Sequence, residues 1–367
     1  MQHLLARLNH GMGKRLLRIH EPHLRTSTFP TMSDRPLIVA EVGQAHDGSL
    51  GTAHAFIDAV ANAGADFVKF QTHIADAESH PSEPWRVKFS RQDATRFDYW
   101  KRMEFLPNQW QELYEHARER NLGFMSSPFS LAAVDQLRET GIDMWKIASG
   151  EVNHESLLTK IADDGRPVAV SSGMSTLSEL DRAVEILGDS PRNYVLQCTT
   201  AYPCPPERLG LNLLAEFKQR FNCRVGLSDH SGTTYAGLAA VALGAQMLEV
   251  HVTMSRAAFG PDVSSSLTFD ELSDLCDGVD FIHRSLRQPA DKSSVSDDLA
   301  TMRGLFTRSI VTTRAVIAGA VLSAEDLTLK KPGSGMAPDM LPAVIGQTVR
   351  RDLPANHILE VGDFGSV

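Results

Sequence analysis

Beyond residue 36 the chain keeps one rhythm: short runs of aliphatic and aromatic residues, then longer stretches in which apolar positions recur every three or four residues. The first pattern is that of strands buried on both faces, the second that of helices with one apolar stripe. Strands are predicted at 37–41, 66–71, 123–126, 144–148, 167–171, 194–199, 225–227 and 247–253. Helices are predicted at 52–63, 108–120, 131–139, 155–162, 177–187, 211–220, 234–243 and 269–286. The total is about eight strand-then-helix units, the number that closes a TIM barrel. Doubly wound sheets share the alternation but rarely need so many units. The expected fold class is α/β, a (β/α)8 barrel.

In strand 247–253 the period of two puts Glu249 and His251 on one face, and Leu248, Val250 and Val252 on the other. The same division recurs along the chain, with apolar residues turned outward to helices and polar residues inward. Active sites of such barrels are built at the C-terminal ends of the strands, and those ends are polar here. They carry Glu41, Lys69 and Gln71, Lys146, Ser149 and Glu151, then Tyr202, His230 and His251. A lysine inside an otherwise apolar strand is costly to bury unpaired, so something negative must meet Lys69 and Lys146. An internal carboxylate such as Glu41 or Glu151 would do, and so would an anionic ligand. Ser126, Ser127, Ser149, Thr199, Thr200 and Ser228 share the rim and offer hydroxyl donors suited to phosphate and carboxylate oxygens. The set reads as an anion cradle. His230 and His251, at neighbouring strand ends, either share one divalent metal, since neutral imidazole suits Mn, Fe and Zn, or are satisfied core histidines.

Charge and composition narrow the partners. The 367 residues carry a formal net charge of -9, with 42% hydrophobic and 22% charged residues, which argues against nucleic acid or an anionic membrane as a partner of the body of the protein. Cys198, Cys204, Cys223 and Cys276 are scattered without CxxC spacing, so a reduced, cytoplasmic setting is expected and neither a zinc site nor a disulfide framework. Residues 1–34 are basic and read as a flexible leader. Residues 35–287 form the barrel, 288–304 a polar linker, and 305–367 a compact, turn-rich small domain whose core is expected to include Val311, Ile317, Val321, Leu322 and Leu327. The long aromatic and charged segment 75–107 exceeds an ordinary βα connection. It is either a lid or substrate wall, or a loop packed on a neighbouring subunit.

In order and at their spacings, the segments AEVGQAHDGS, GADFVKFQTH, SSPFS, WKIASGE, SSGMST, QCTTAYP, GLSDHSG, LEVHVT, FGPD and KKPGSG resemble the sialic acid synthase (N-acetylneuraminate synthase) family over about residues 36–363. The resemblance implies a TIM barrel followed by a small β-rich antifreeze-like (SAF) domain. It also implies a transferase that condenses phosphoenolpyruvate with an N-acetylmannosamine-like aldose, giving a nine-carbon 2-keto-3-deoxy sugar acid and phosphate. Carried over position by position, it implies that His230 and His251 bind a divalent metal, Mn²⁺ first, with Mg²⁺ or Co²⁺ as alternatives. Lys69, Ser127, Lys146, Ser149 and Ser228 would hold phosphoenolpyruvate, and Glu41 would lie beside the attacking water and the acceptor carbonyl. Gln71, Glu151, Tyr202 and Asp262 would lie near the open-chain sugar. A domain-swapped homodimer is implied as well, with position 331 of the small domain reaching the acceptor's N-acetyl group.

The chain departs from the family at three of these places. It has Ala45 before His46 where the family often has Asn, Thr200 where the family often has Asn, and Lys331 where it commonly has Arg, so the planar fork is lost there. The acceptor therefore stays open among neuraminate, legionaminate, pseudaminate and non-acetylated types. A metal-dependent aldolase or lyase on the same barrel and a non-catalytic sugar-binding homologue are the rival readings.

Overall fold

The computed structural model describes residues 35–293 and 296–365; the reading of the 1–34 leader lies outside the described residues. Eight parallel strands pair in sequence order: β1 (Leu37–Gly43), β2 (Phe67–Thr72), β3 (Gly123–Pro128), β4 (Met144–Ile147), β5 (Val168–Ser171), β6 (Tyr194–Cys198), β7 (Arg224–Asp229) and β8 (Met247–Val252). β1 pairs again with β8, setting Glu41 beside His251, and the barrel closes. A two-residue strand, β9 (Ser266–Leu267), continues from the end of β8. Outside the barrel lie α1 (Leu50–Ala63), α2 (Ala75–Glu78), α3 (Arg96–Met103), α4 (Pro107–Glu119), α5 (Leu131–Thr140), α6 (Glu155–Ala162), α7 (Leu177–Leu187), α8 (Leu213–Arg220), α9 (Thr234–Ala242) and α10 (Phe269–Leu286). Every predicted strand and helix has its counterpart, shifted by a few residues. The helix starts are fixed by side chains, as where Thr176 with Glu179 and Thr268 with Glu271 form capping boxes at α7 and α10.

The barrel has two apolar layers and one polar one. Outward-facing residues such as Ile38, Val68, Phe124 and Leu248 pack with the helices in the main core. Inside, Val39, Phe67, Met125, Met144, Ala169, Tyr194, Leu196 and Met247 plug the N-terminal half of the lumen. In six strands the inward position two residues further along turns polar: Val39 leads to Glu41, Phe67 to Lys69, Met125 to Ser127, Met144 to Lys146, Ala169 to Ser171, and Met247 to Glu249. The plug thus fixes the depth at which the polar layer begins.

The 75–107 segment is built, not open. It carries α2 and α3, the latter started by a Thr95–Asp98 capping box and burying Tyr99 and Met103. Arg102 ties it down, 2.7 Å from Asp47 Oδ1 and 2.7 Å from Asp93 Oδ2.

The described residues divide into two compact units between Gln288 and Pro289. In the second unit, α11 (Asp297–Phe306) begins inside the stretch read from sequence as a polar linker, with Leu299, Leu305 and Phe306 exposed. β10 (Ser309–Thr312) and β11 (Leu327–Lys330) form an antiparallel pair, and α12 (Leu341–Val344) follows. The small core is Ile310, Val316, Leu322, Leu327, Val344, Val349, Leu353 and Leu359. Three expected core residues are not in it: Val311 is buried outside this cluster, and Ile317 and Val321 are exposed. Ile317 is 73% exposed and Val321 61% exposed, because Ile317 leads into the turn at Gly319 (φ 84°), and Val321 alternates with buried Leu322 along an extended segment. No helix among the described residues is long and apolar enough to cross a membrane.

Candidate active site

The polar layer is organised by four buried charges. Lys69 Nζ lies 2.6 Å from Glu41 Oε2 and 3.6 Å from Glu249 Oε1, and Lys146 Nζ lies 3.8 Å from that same Glu249 oxygen. Ser228 Oγ donates to Glu249 Oε1 at 3.1 Å, and Lys146 donates to Ser171 Oγ at 2.7 Å and to the Ile147 carbonyl at 3.0 Å. Of the sequence alternatives for the lysines, Glu41 is a partner and Glu151 is not; Glu151 pairs with His154 at 3.0 Å. Glu249 is the member that the sequence analysis did not assign to the site, although the period-two pattern had already turned it inward beside His251.

The two lysines are compensated unequally. Burial alone would depress the Lys69 ammonium, but Glu249 and Glu41 more than reverse this and raise its pKa. Lys146 goes the other way, lowered by burial first, with Lys69 adding to the effect and Glu249 recovering only part of it. Burial would push the Glu249 carboxyl up, yet Lys146 and Lys69 hold it below the usual carboxylate range. On the distances, Glu249 is the more fully stabilised partner of the 3.8 Å pair and Lys146 the under-compensated one. The layer therefore has a cation ready for an anion. Glu249 Oε2 is buried and accepts no hydrogen bond from any described residue, so the layer also offers an acceptor for a polar ligand or water.

This arrangement makes Glu249 testable without any substrate. Replacing it as Glu249→Gln leaves Lys146 buried without its carboxylate, and breaking a buried pair on one side costs about 3–5 kcal/mol. The variant should unfold at a visibly lower temperature than the parent, and millimolar inorganic phosphate should recover more of its stability than it adds to the parent. Equal unfolding temperatures without phosphate would contradict the network.

Above this layer opens a cavity of about 400 Å³. Gln71, Ser149, Glu151, Thr200, Tyr202, His251 and Asp262 of the predicted set line it, together with side chains of the 75–107 segment. Glu41, Lys69, Ser127, Lys146, Ser228 and His230 are buried among the surrounding strand ends. Lys331 belongs to the second unit, where its ammonium lies 5.3 Å from the Phe306 ring centroid. Gly173, after β5, has φ +32°, and a Cβ there would sit 2.0 Å from Ser149 Cβ and 3.1 Å from Thr200 Oγ1. Only glycine lets this backbone approach both hydroxyls.

The histidines meet as the strand ends require. Their ring centroids are 5.3 Å apart, and Tyr202 stacks on His230 at 4.1 Å. His230 Nδ1 donates to the Thr199 carbonyl at 2.8 Å, leaving the Nε2 lone pair free. Burial, then His251, pushes the imidazolium of His230 down to about 4, so the ring is neutral at pH 7. A neutral imidazole held by its other nitrogen is what a divalent ion needs. Among the described residues no group of three or more His, Cys, Asp or Glu side chains is placed to hold a metal ion, so His230 and His251 stand as a candidate pair only.

Two further groups escaped the sequence analysis. His73 is sandwiched between Trp100 and Phe129, at 4.1 and 4.6 Å. Its Nδ1 donates to Glu78 at 2.7 Å, and its Nε2 meets Gln44 Nε2 at 3.0 Å. Gln44 donates to Gln71, which donates to Glu41 Oε1 at 2.6 Å. Arg86, from the long segment, lies over the Tyr202 ring at 4.5 Å and 3.2 Å from Asp262. The aromatic content of 75–107 hinted at a wall, but no periodicity gives the pairing of one loop with another.

Comparison with known proteins identifies the family. The model of the NeuB family matches residues 56–290, and that of the SAF domain matches residues 307–363. The chain is 32% identical over 332 residues to the N,N'-diacetyllegionaminic acid synthase of Campylobacter jejuni, covering 89% of this chain and 99% of that one. It is also 32% identical over 318 residues to the human N-acetylneuraminate-9-phosphate synthase, covering 85% and 88%. The crystal structure of an N-acetylneuraminic acid synthetase from Leptospira borgpetersenii, in complex with citrate, superposes with a TM-score of 0.63 at 28% identity, over 73% of this chain and 90% of that chain. With the inward charges, the paired histidines and the small second unit all in place, the chain belongs to the NeuB family.

Proposed function

We propose that this enzyme condenses phosphoenolpyruvate with an N-acylated aldose, releasing phosphate and a nine-carbon 2-keto-3-deoxy sugar acid. The observation that carries the reading is the under-compensated Lys146 beside Lys69, one strand step beneath a sugar-sized cavity. Phosphoenolpyruvate carries a phosphate and a carboxylate, and this pair of cations answers such a polyanion.

The chemistry joins the methylene carbon of the enol phosphate to the aldehyde carbon of the open-chain sugar. Water then adds at the phosphate-bearing carbon, the bond from that carbon to the phosphate oxygen breaks, and phosphate leaves. Lys146 and Lys69 offset charge on the phosphate and carboxylate throughout, in a buried setting where such contacts are worth more than in water. Ser127, Ser149 and Ser228 add hydroxyl donors. Glu41, oriented by Gln71 through Oε1 and by Lys69 through Oε2, positions and deprotonates the water. His230 and His251 would hold a divalent ion, Mn²⁺ in the first instance, which when bound supplies Lewis acidity toward the aldehyde oxygen.

The assay is phosphate release from phosphoenolpyruvate plus Mn²⁺ with a panel of N-acylated aldoses. Release that requires an aldose supports the synthase; saturable binding of both ligands without release from any of them favours a binding protein. A pH profile adds a check. Because the Lys146 ammonium is lowered from the ordinary 10.5, affinity for phosphoenolpyruvate should weaken below the pH at which an ordinary lysine discharges. Calorimetric affinity that stays flat up to that pH would remove Lys146 from the cradle.

A further inference from the structure

A side-chain amide presents either its oxygen or its nitrogen to a neighbour with almost the same shape, so what orients the Gln71 amide against Glu41 lies on its far side. Gln71 Nε2 donates to Glu41 Oε1 at 2.6 Å. Turned over, the amide would set its oxygen against a carboxylate oxygen, and Glu41 would be pushed from its place. Two residues occupy the far side. Gln44, directly after β1, donates through Nε2 to Gln71 Oε1, and His73 Nε2 lies 3.3 Å from the same oxygen.

Gln44 is itself an amide with two ends, and His73 decides between them. His73 Nδ1 donates to Glu78 Oε1 at 2.7 Å, and Glu78 Oε2 accepts from the Ile74 backbone N–H at 3.2 Å, so both oxygens of that carboxylate are held. In the neutral ring the proton is then on Nδ1, and Nε2 presents a lone pair. That lone pair takes one Gln44 N–H at 3.0 Å, while Gln44 Nε2 also serves Gln71. Each amide from Glu78 to Glu41 is thereby left with one orientation.

The imidazole that sets this order is clamped. Trp100 stacks on one face with an interplanar angle of 18° and Phe129 on another side at 9°, and the contact with Glu78 fixes the ring's rotation within that plane. His73 and Gln44 are both buried, where a chain of hydrogen bonds is stronger than in water. They also reach the edge of the cavity, so holding Glu41 has to be separated from touching the sugar.

We infer that His73 and Gln44 are positioning residues: they orient the Gln71 amide so that it holds Glu41 against the water that adds to the phosphate-bearing carbon. Glu78 anchors the chain at its other end. The inference rests on the synthase reading.

The test measures phosphate release by the intact protein with phosphoenolpyruvate, Mn²⁺ and an N-acylated aldose. His73→Phe keeps a ring between Trp100 and Phe129 and removes both nitrogens. Its kcat should fall by about 10- to 100-fold, the order lost when a proton-transfer group is misplaced, with KM for phosphoenolpyruvate and for the aldose within about twofold of the parent. Gln44→Leu should do the same, and the double variant should be no slower than the slower single one, because groups acting through one chain are not additive. His73→Gln, whose amide oxygen falls near the position of Nε2, should recover part of the loss. Thermal unfolding of each variant reads the fold separately. Parent kcat in His73→Phe overturns the inference. So do losses that multiply in the double variant, a loss that His73→Gln does not recover, and a loss confined to KM for the aldose. All of these leave the synthase intact. No release by the parent with any aldose overturns the synthase reading and the inference with it.

Discussion

Lys146→Ala should lose saturable phosphoenolpyruvate binding, at least about 100-fold in affinity, while the protein stays folded; charge-assisted hydrogen bonds to a dianion supply that much. The reason is the division of labour between the lysines. Glu249 keeps Lys69 at 3.6 Å when Lys146 is removed, so no buried carboxylate is left without a cation. Lys69→Ala is the contrasting variant. It strips Glu41 of its 2.6 Å partner and leaves Glu249 with the more distant Lys146 alone. That change should cost about 3–5 kcal/mol of stability in addition to the binding loss. Calorimetry and thermal unfolding on both variants separate the effects. Equal loss of stability in the two would mean that Lys146 is as structural as Lys69, and the cradle would lose its receiving cation.

His230→Ala and His251→Ala should each abolish stoichiometric Mn²⁺ retention and lower phosphate release by about 10³-fold or more, the order expected when a Lewis acid worth several kcal/mol is lost. Each imidazole is placed separately. His230 is fixed by the Thr199 carbonyl and by Tyr202 stacked on its face. His251 sits in register with Glu41 of β1 and lines the cavity. Equilibrium dialysis followed by metal analysis reads retention, and thermal unfolding shows that the fold persists. Two variants that bind Mn²⁺ as the parent does would return both residues to the core.

Much of this site was legible because a barrel strand has a strict period. Once the strands were placed, Lys69, Lys146, Glu249 and His251 had to point inward, and the apolar residues two positions earlier had to form the plug beneath them. The strand ends also gave the polar rim from Ser127 to Tyr202 without any knowledge of contacts. Loops follow no such period. Arg86 finding Asp262, or His73 sliding between Trp100 and Phe129, depends on how separate segments fold over one another. In the small second unit, many short extended segments and turns make the alternation too brief to read, which is why Ile317 and Val321 were assigned inward and lie outward. α11 was missed because its start is polar and its apolar residues are left exposed rather than gathered on a buried stripe.

The most direct measurement of the central claim uses phosphoenolpyruvate labelled with ¹⁸O at the oxygen bridging carbon and phosphorus, incubated with the enzyme, Mn²⁺ and an N-acylated aldose. Attack of water at carbon and expulsion of phosphate predict that the label leaves with the inorganic phosphate, and only when the aldose is present. Label retained in the organic product, or phosphate released at the same rate without any aldose, would contradict the condensation.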